Sequence, residues 1–121
     1  MQDLLSLKNQ LSSRNLFDAF KVQLAKDFEQ GSYSIDFIKT LEQDYDIIHE
    51  KIAYELQRKS EKPDCNLMQL LYRVDISEAQ LQKYFNRNNG QNHFNIIAEL
   101  IIKRVLQKVV LKHFYKTNER P

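Results

Sequence analysis

The chain has 121 residues, of which 42% are hydrophobic and 28% are charged, and its net charge is +2. This length fits one domain that buries its core without disulfides or metals, and so small a charge does not by itself indicate a polyanionic partner. Two glycines and two prolines are too few for the tight turns of a β-rich fold. We therefore predict a single all-helical domain over residues 1–121.

The chain carries one cysteine, Cys65, which cannot form an internal disulfide and so favours a reducing compartment. The first residues lack the basic and apolar regions of a signal peptide. No run approaches the ~20 apolar residues that a membrane span requires. We expect a cytoplasmic protein that makes no membrane contact.

The first twelve residues form either a short amphipathic helix or a frayed arm. Their apolar residues are Leu4, Leu5, Leu7 and Leu11. The next helix is predicted from about Asn15 to Gln30, with one apolar face. That face comprises Leu16, Phe17, Phe20, Leu24 and Phe28. Gly31 follows at the C-cap, where we expect a positive φ.

A second long helix is predicted to begin after Ser34 and to end near Lys59. Its apolar residues follow the alternating three- and four-residue spacing of a bundle seam. They are Ile38, Leu41, Tyr45, Ile48, Ile52 and Leu56. A polar break containing Pro63 follows, and Asp64 is expected to cap the next helix.

The segment from Leu67 to Phe85 is predicted to form two helices joined by a tight turn between Val74 and Ser77. Ser77 with Gln80 three residues later is a capping box, which marks the start of the second of these helices. The segment resembles the DNA-binding helix-turn-helix family over about twenty residues. The residues that match its buried positions are Leu70, Val74, Ile76, Leu81 and Tyr84.

This segment departs from the helix-turn-helix pattern at two positions. Asp75 stands where the motif has glycine, and Leu71 stands where a small residue lets the two helices pack closely. The resemblance implies that the second helix reads a DNA groove, for which several cations are needed. The exposed residues expected there are Glu78, Gln80, Gln82 and Lys83, with one cation among them. Two well-capped helices of a bundle are the alternative interpretation.

The last helix is predicted from about His93 to Tyr115 and has an apolar face wider than one neighbouring helix covers. Two of its rows are apolar throughout: Ile97, Ile101, Val105 and Val109, and Phe94, Ala98, Ile102, Leu106, Val110 and Phe114. We predict an irregular four- to five-helix bundle around this central C-terminal helix. Surplus apolar residues at its two ends predict a homodimer interface. These residues are Ile96, Leu100, Leu111 and Tyr115.

The same helix carries a basic row with a spacing of four residues, formed by Arg104, Lys108, Lys112 and Lys116. Such a row, together with Lys83, could contact nucleic acid or another anion. The alternative is a solvated face whose cations stabilise the end of the helix.

The three histidines do not form a recognisable site. His49 and Glu50 begin a zinc-protease motif, but Ala53 takes the place of its second histidine. Asp46 and His49 supply one of the two carboxylate–histidine pairs that a di-iron bundle needs. We therefore predict no catalytic, metal or cofactor site and do not expect an enzyme.

A second resemblance rests on two stretches, Leu70–Ser77 and Ala98–Ile102. They are similar to a group of small all-helical bacterial proteins of unknown function. This resemblance covers about half of the chain and implies a compact helical domain, without a substrate or cofactor. The function that we expect is protein binding, including self-association as a homodimer, and the alternative is DNA binding by residues 67–85.

Overall fold

The computed structural model describes residues 4–63, 66–87, 90 and 92–118, and it describes side chains in the last helix up to residue 112. This part of the chain contains seven helices and no strand, so the predicted all-α class is confirmed. The helices are α1 (Leu4–Leu11), α2 (Arg14–Gln30), α3 (Asp36–Lys39), α4 (Tyr45–Lys59), α5 (Leu67–Val74), α6 (Glu78–Arg87) and α7 (His93–Asn118). None of these helices, within the described residues, is long and apolar enough to cross a membrane.

The α2 helix begins at a cap formed by Ser13, whose side chain accepts a hydrogen bond from the backbone N–H of Leu16. Gly31 is its C-cap, but its φ is −92°, so the expected positive φ is wrong. Ser32 adopts the left-handed conformation instead, with φ 66°. The chain packs closely at Gly31, because a Cβ there would lie 3.1 Å from the Cβ of Leu70 and 3.3 Å from the carbonyl oxygen of Asn66, so a larger residue would require these neighbours to shift by a few tenths of an ångström.

The second predicted long helix is interrupted, because Thr40 ends α3 and α4 begins only after Asp44. The carboxylate of Asp44 accepts a hydrogen bond from the backbone N–H of Ile47 at 3.1 Å. This cap competes with a continuous helix through the segment. Every side chain of the predicted seam is nevertheless buried, namely Ile38, Leu41, Tyr45, Ile48, Ile52 and Leu56.

The α7 helix contacts α1, α2, α4, α5 and α6. Its two apolar rows contribute most of its buried residues, including Ile101, Ile102, Val105 and Leu106, each 0% exposed. These residues belong to one hydrophobic cluster with buried residues of α1 to α5. The α5 helix starts at the cap Asn66, which accepts from the N–H of Gln69 at 3.0 Å, whereas Asp64 lies outside the described residues.

Of the two alternatives for the first twelve residues, a short helix or a frayed arm, the structure has the helix, α1, and it is packed on the rest of the chain. Leu7 and Leu11 are 0% and 2% exposed, and α1 contacts α2, α4 and α7. Ile96 and Leu100 are also buried within the chain, so the expectation that they form surplus surface is wrong. Of the predicted interface residues, Leu111 is exposed, and the side chain of Tyr115 lies outside the described residues.

Candidate functional site

The turn between α5 and α6 is as tight as the sequence predicts. Asp75 has φ 75°, the left-handed conformation that short polar side chains tolerate better than other non-glycine residues. The backbone N–H of Ile76 donates to the carbonyl oxygen of Leu71 at 2.9 Å, and that of Asp75 donates to Tyr72 at 3.1 Å. These two bonds form the Schellman closure of α5. The aspartate therefore does what glycine does in the helix-turn-helix pattern.

The predicted capping box at the start of α6 is confirmed. The N–H of Gln80 donates to the hydroxyl oxygen of Ser77 at 3.1 Å, and the N–H of Ser77 donates to the side-chain oxygen of Gln80 at 3.0 Å. Two N–H groups that the first turn of α6 would leave unpaired are thus satisfied. The turn is fixed on both sides by its own hydrogen bonds.

The α5 helix separates its apolar residues sharply between two faces. Leu70, Leu71 and Val74 are buried, whereas Met68 is 54% exposed and Tyr72 is 81% exposed. Met68 and Tyr72 are one helical turn apart and therefore lie on the same outer face. This face of α5 presents two large side chains to solvent.

The helix pair differs from the helix-turn-helix family in its packing. The α5 helix packs mainly against α2 and α7, and α6 packs against α7. The large side chain of Leu71 is buried in the core cluster, at the position where the family needs a small residue for close packing of the pair. Glu78, Gln80, Gln82 and Lys83 are exposed on α6, as the sequence predicts.

Residues of the basic row of α7 form polar contacts with α2 and α5. The ammonium group of Lys108 lies 3.1 Å from the carboxylate of Asp27 on α2, and the Asp27 side chain is 0% exposed. Lys108 also donates to the backbone carbonyl of Arg73, in the last turn of α5, at 2.8 Å. One cation therefore neutralises a buried carboxylate and pairs with a carbonyl at the end of α5.

The neighbouring cations of the row extend this network on both sides. Lys112 donates to the side-chain oxygen of Gln23 at 2.6 Å, and the amide nitrogen of Gln23 donates to Asp27 at 3.1 Å. Arg104 pairs with Asp75 in the α5–α6 turn at 3.2 Å. We call these contacts the polar ladder, formed by Gln23, Asp27, Arg73, Asp75, Arg104, Lys108 and Lys112.

The polar ladder engages three of the cations that the sequence offers for nucleic acid. Arg104, Lys108 and Lys112 bind groups of their own chain, and the side chain of Lys116 lies outside the described residues. Lys83 is exposed on α6 and forms no ion pair within the described part of the chain. Arg104 and Lys108 are therefore partly buried in contacts with their own chain, whereas Lys112 remains exposed and contacts Gln23.

Sequence reasoning missed the other half of this ladder. Gln23 and Asp27 are 8% and 0% exposed on α2, although their residue types predict a solvated position. Gln23 directly precedes Leu24, and Asp27 directly precedes Phe28, so both polar residues lie beside the apolar face of α2. This position was the sequence signal that could have indicated their burial. A carboxylate on the border of an apolar face and a basic row on another helix together allow such a pair.

A second group of side chains lies where α6 meets α7. The ammonium group of Lys103 donates to the hydroxyl of Tyr84 at 2.9 Å and lies 4.9 Å from the centre of its ring. The guanidinium carbon of Arg87 lies 5.9 Å from the centre of the same ring. His93 stacks on Phe85, with their ring centres 4.3 Å apart. We call Tyr84, Arg87 and Lys103 the cationic cluster.

The α4 helix places His49 and Tyr45 beside the first turn of α7. The Nε2 atom of His49 donates to the backbone carbonyl of Asn95 at 2.8 Å, and its ring stacks on that of Tyr45. Burial raises the pKa of Tyr45 to about 12, and the negative charges of Glu99 and Asp46 act in the same direction. His49 thus makes a structural contact between two helices.

Metal ligation finds no support in the part of the chain that the structure describes, because no three His, Cys, Asp or Glu side chains are placed to hold an ion together. Comparison with known protein families, with curated proteins and with solved structures finds no match for this chain.

Proposed function

We propose that the protein acts by binding another protein, and that the outer face of α5 contacts this partner. The observation that carries the proposal is the exposure of Tyr72 and Met68, at 81% and 54%, on one face of a helix whose other face is buried. Tyrosine and methionine are enriched in protein interfaces relative to the rest of the surface. Tyrosine in particular supplies large contact area at a small cost in conformational entropy.

The surroundings of α5 favour binding without rearrangement. Lys108 holds the carbonyl of Arg73, and Arg104 holds Asp75 directly after the helix. The Schellman closure and the capping box fix the turn that follows. A helix held in this way loses little freedom when a partner docks, so more of the contact energy is retained as affinity.

Site-specific photo-crosslinking in cells that naturally make the protein tests this proposal. A photoreactive phenylalanine analogue replaces Tyr72 in one variant and Tyr54 in a matched control, since Tyr54 is 65% exposed on α4. We expect a discrete adduct with one protein from position 72 and none from position 54. The adduct should disappear when Met68→Glu is added to the position-72 variant, while the melting temperature stays unchanged.

Two outcomes contradict the proposal. Equal labelling from positions 72 and 54 would mean that both sites report random encounters. An adduct at position 72 that survives Met68→Glu would mean that the outer face of α5 does not form the contact. The photoreactive group labels only molecules that contact its own side chain. The interpretation of either result therefore does not depend on the identity of the partner.

The partner that we propose is a different protein. Two of the residues on which the homodimer prediction rests, Ile96 and Leu100, are buried within the chain, whereas Leu111 is exposed. Sedimentation equilibrium at micromolar concentration should therefore give the chain mass of 14.5 kDa. A mass twice as large would identify a second copy as the partner instead.

DNA binding is the second candidate, and the closed turn between α5 and α6 is the observation that favours it. The engagement of Arg104, Lys108 and Lys112 in the polar ladder disfavours it, because few cations remain to contact phosphates. An electrophoretic shift assay over a salt series separates the candidates. We expect weak binding to duplex DNA with no sequence preference, and a tight complex at physiological ionic strength would support DNA binding.

A further inference from the structure

The junction between α1 and α2 has the properties of a hinge. Its residue Ser13 has φ −76° and ψ 122°, so its φ already suits a helix and its ψ does not. We infer that rotation at Ser13 joins α1 and α2 into one continuous helix, and that α1 of a second copy of the chain then binds in the site that α1 leaves. The inference goes beyond the proposed function and does not depend on it, because the exchange moves α1 and not α5.

The sequence of residues 4–30 permits a continuous helix. It contains no glycine or proline, the two residues that most disfavour a helix interior. The backbone N–H of Ser12 already donates to a carbonyl oxygen of α1 at 3.0 Å, and that of Phe17 donates to Ser13 at 2.9 Å. Helical hydrogen bonds therefore reach the junction from both sides. The cap that holds the bent form is a long bond, in which the Ser13 hydroxyl accepts from the N–H of Leu16 at 3.4 Å.

Straightening the junction takes α1 away from its own site. In a continuous helix, residues 4–13 would project about 15 Å beyond the start of α2. Leu7 and Leu11 would also face roughly 115° around the helix axis from the apolar face of α2. They would no longer reach the core of their own chain. A second copy in the same conformation exposes the same site and offers the same helix.

The site that α1 occupies is the same in every copy. The α1 helix contacts α2, α4 and α7, and Leu7 and Leu11 are 0% and 2% exposed there. The side-chain amide of Gln43 donates to the carbonyl oxygen of Leu11 at 2.9 Å, and the ammonium group of Lys8 lies 3.8 Å from the carboxylate of Asp46. The α1 helix of a second copy restores all of these contacts. The exchange therefore costs the freedom lost on association but no packing.

The short connection between α1 and α2 determines the concentration at which the exchange occurs. It keeps α1 beside its own site at an effective concentration on the order of millimolar. A second copy therefore competes at millimolar protein and not at micromolar, where the monomer expected above remains the main form. An exchanged dimer persists on dilution, because both buried α1 helices must leave their sites before the two chains separate.

Size-exclusion chromatography tests the exchange. Protein at millimolar concentration is warmed to just below its melting temperature, cooled and diluted, and we expect a species of twice the 14.5 kDa chain mass. Arg14→Pro should abolish this species. Position 14 is the first residue of α2, where proline is favoured after an extended residue, but it lies inside the continuous helix, where proline disfavours the helix by more than about 100-fold in each chain. The control Arg14→Ala removes the same charge and should form the dimer as the wild type does.

Ser13→Ala should act in the opposite direction. It removes the cap of the bent form, and alanine favours the continuous helix. An effect of about threefold in each chain, at the low end for an N-cap, makes the dissociation constant of the dimer about tenfold smaller. The control Ser77→Ala removes the cap of α6 and should leave this constant unchanged. Equal effects of Ser13→Ala and Ser77→Ala would overturn the inference, because general destabilisation would then cause the association.

A crosslink between α1 and its site distinguishes the exchange from an ordinary dimer. Lys8→Cys and Asp46→Cys are combined in a Cys65→Ser background, which removes the one native cysteine, and a short bismaleimide joins them. The crosslink should lie within one chain in the monomer and join two chains in the isolated dimer, which then runs at twice the chain mass on a denaturing gel. Three results would overturn the inference: crosslinks within one chain in the dimer, equal dimer formation by Arg14→Pro, or no dimer at millimolar concentration even with Ser13→Ala.

Discussion

The α7 helix meets its two largest neighbours in different ways. The α4 helix contributes the buried residues Ile48, Ile52 and Leu56. Its polar contact with α7 is the hydrogen bond from His49 to the backbone carbonyl of Asn95. Against α2, large apolar residues are accompanied by a fully buried carboxylate and by two lysines that reach across from α7. One contact is closed by apolar packing, and the other combines packing with a specific charge pair.

This difference predicts different responses to mutation. Apolar packing has no fixed direction, so the loss of a side chain costs free energy in proportion to the volume that the remaining atoms cannot fill. A buried ion pair depends on both members, because removal of one leaves an uncompensated charge in the interior. The α4 contact should therefore respond to the size of a substitution, and the α2 contact should respond to charge.

The largest effect should come from the apolar contact. Ile52→Ala removes a side chain that is 0% exposed and should lower the free energy of unfolding by about 4 kcal/mol. Urea denaturation followed by circular dichroism measures this. The control Tyr54→Ala, on the same helix but 65% exposed, should cost much less. Comparable losses in the two variants would contradict the packing of α4 described above.

The ion pair should give the next largest effect. Lys108→Met keeps most of the side-chain volume but leaves Asp27 buried without a cation, so we expect a loss of about 3 kcal/mol. Lys112→Met is the matched control, because Lys112 binds the neutral side chain of Gln23, and its loss should be about 1 kcal/mol. The same denaturation experiment measures both variants.

Adding Asp27→Asn to Lys108→Met tests the cause of that loss. The double variant removes the uncompensated charge and should recover a large part of the stability, since the free-energy costs of interacting residues do not add. If the two substitutions are simply additive, the charge pair does not account for the cost. The α2 contact would then behave like the α4 contact.

The same contrast explains which parts of the structure could be predicted from the sequence. Periodicity identifies buried apolar rows, so it predicted the seam of α4 and the rows of α7. It did not detect the interruption between Thr40 and Asp44, because the seam side chains remain buried across the break and the pattern continues. A local cap decided the backbone there, while the side chains followed the predicted rows.

In the candidate site, too, local features could be predicted from the sequence and long-range contacts could not. The turn between α5 and α6 was predictable, since the capping box of Ser77 and Gln80 is a local pattern. The pairing of Asp27 with Lys108 was not, because these residues are 81 positions apart and only the packing of α2 on α7 brings them together. The exposure of Tyr72 also depends on which neighbours α5 has, and the sequence does not specify them.

A pH titration of stability should report the burial of Tyr45 with the α4 seam. Burial raises the pKa of Tyr45 from 10 to about 12, so the folded protein holds this proton at a pH where the unfolded chain has lost it. The resulting stability is present below pH 10 and is lost as the pH rises towards 12. Relative to Tyr45→Phe, the wild type should lose about 2 kcal/mol over this interval. Parallel curves for Tyr45→Phe and the wild type would contradict the assignment.

The smallest effect should come from the turn that Arg104 connects to the polar ladder. Ser77→Ala removes the hydroxyl that accepts from Gln80, and we expect a loss of about 1 kcal/mol in thermal or chemical denaturation. Asp75→Asn is the companion variant, because asparagine tolerates the left-handed conformation while losing the charge that pairs with Arg104. The carboxylate of Asp75 is 76% exposed, so this ion pair should contribute less than about 0.5 kcal/mol. A larger loss for Asp75→Asn than for Ser77→Ala would mean that charge, and not the capping hydrogen bonds, fixes the turn.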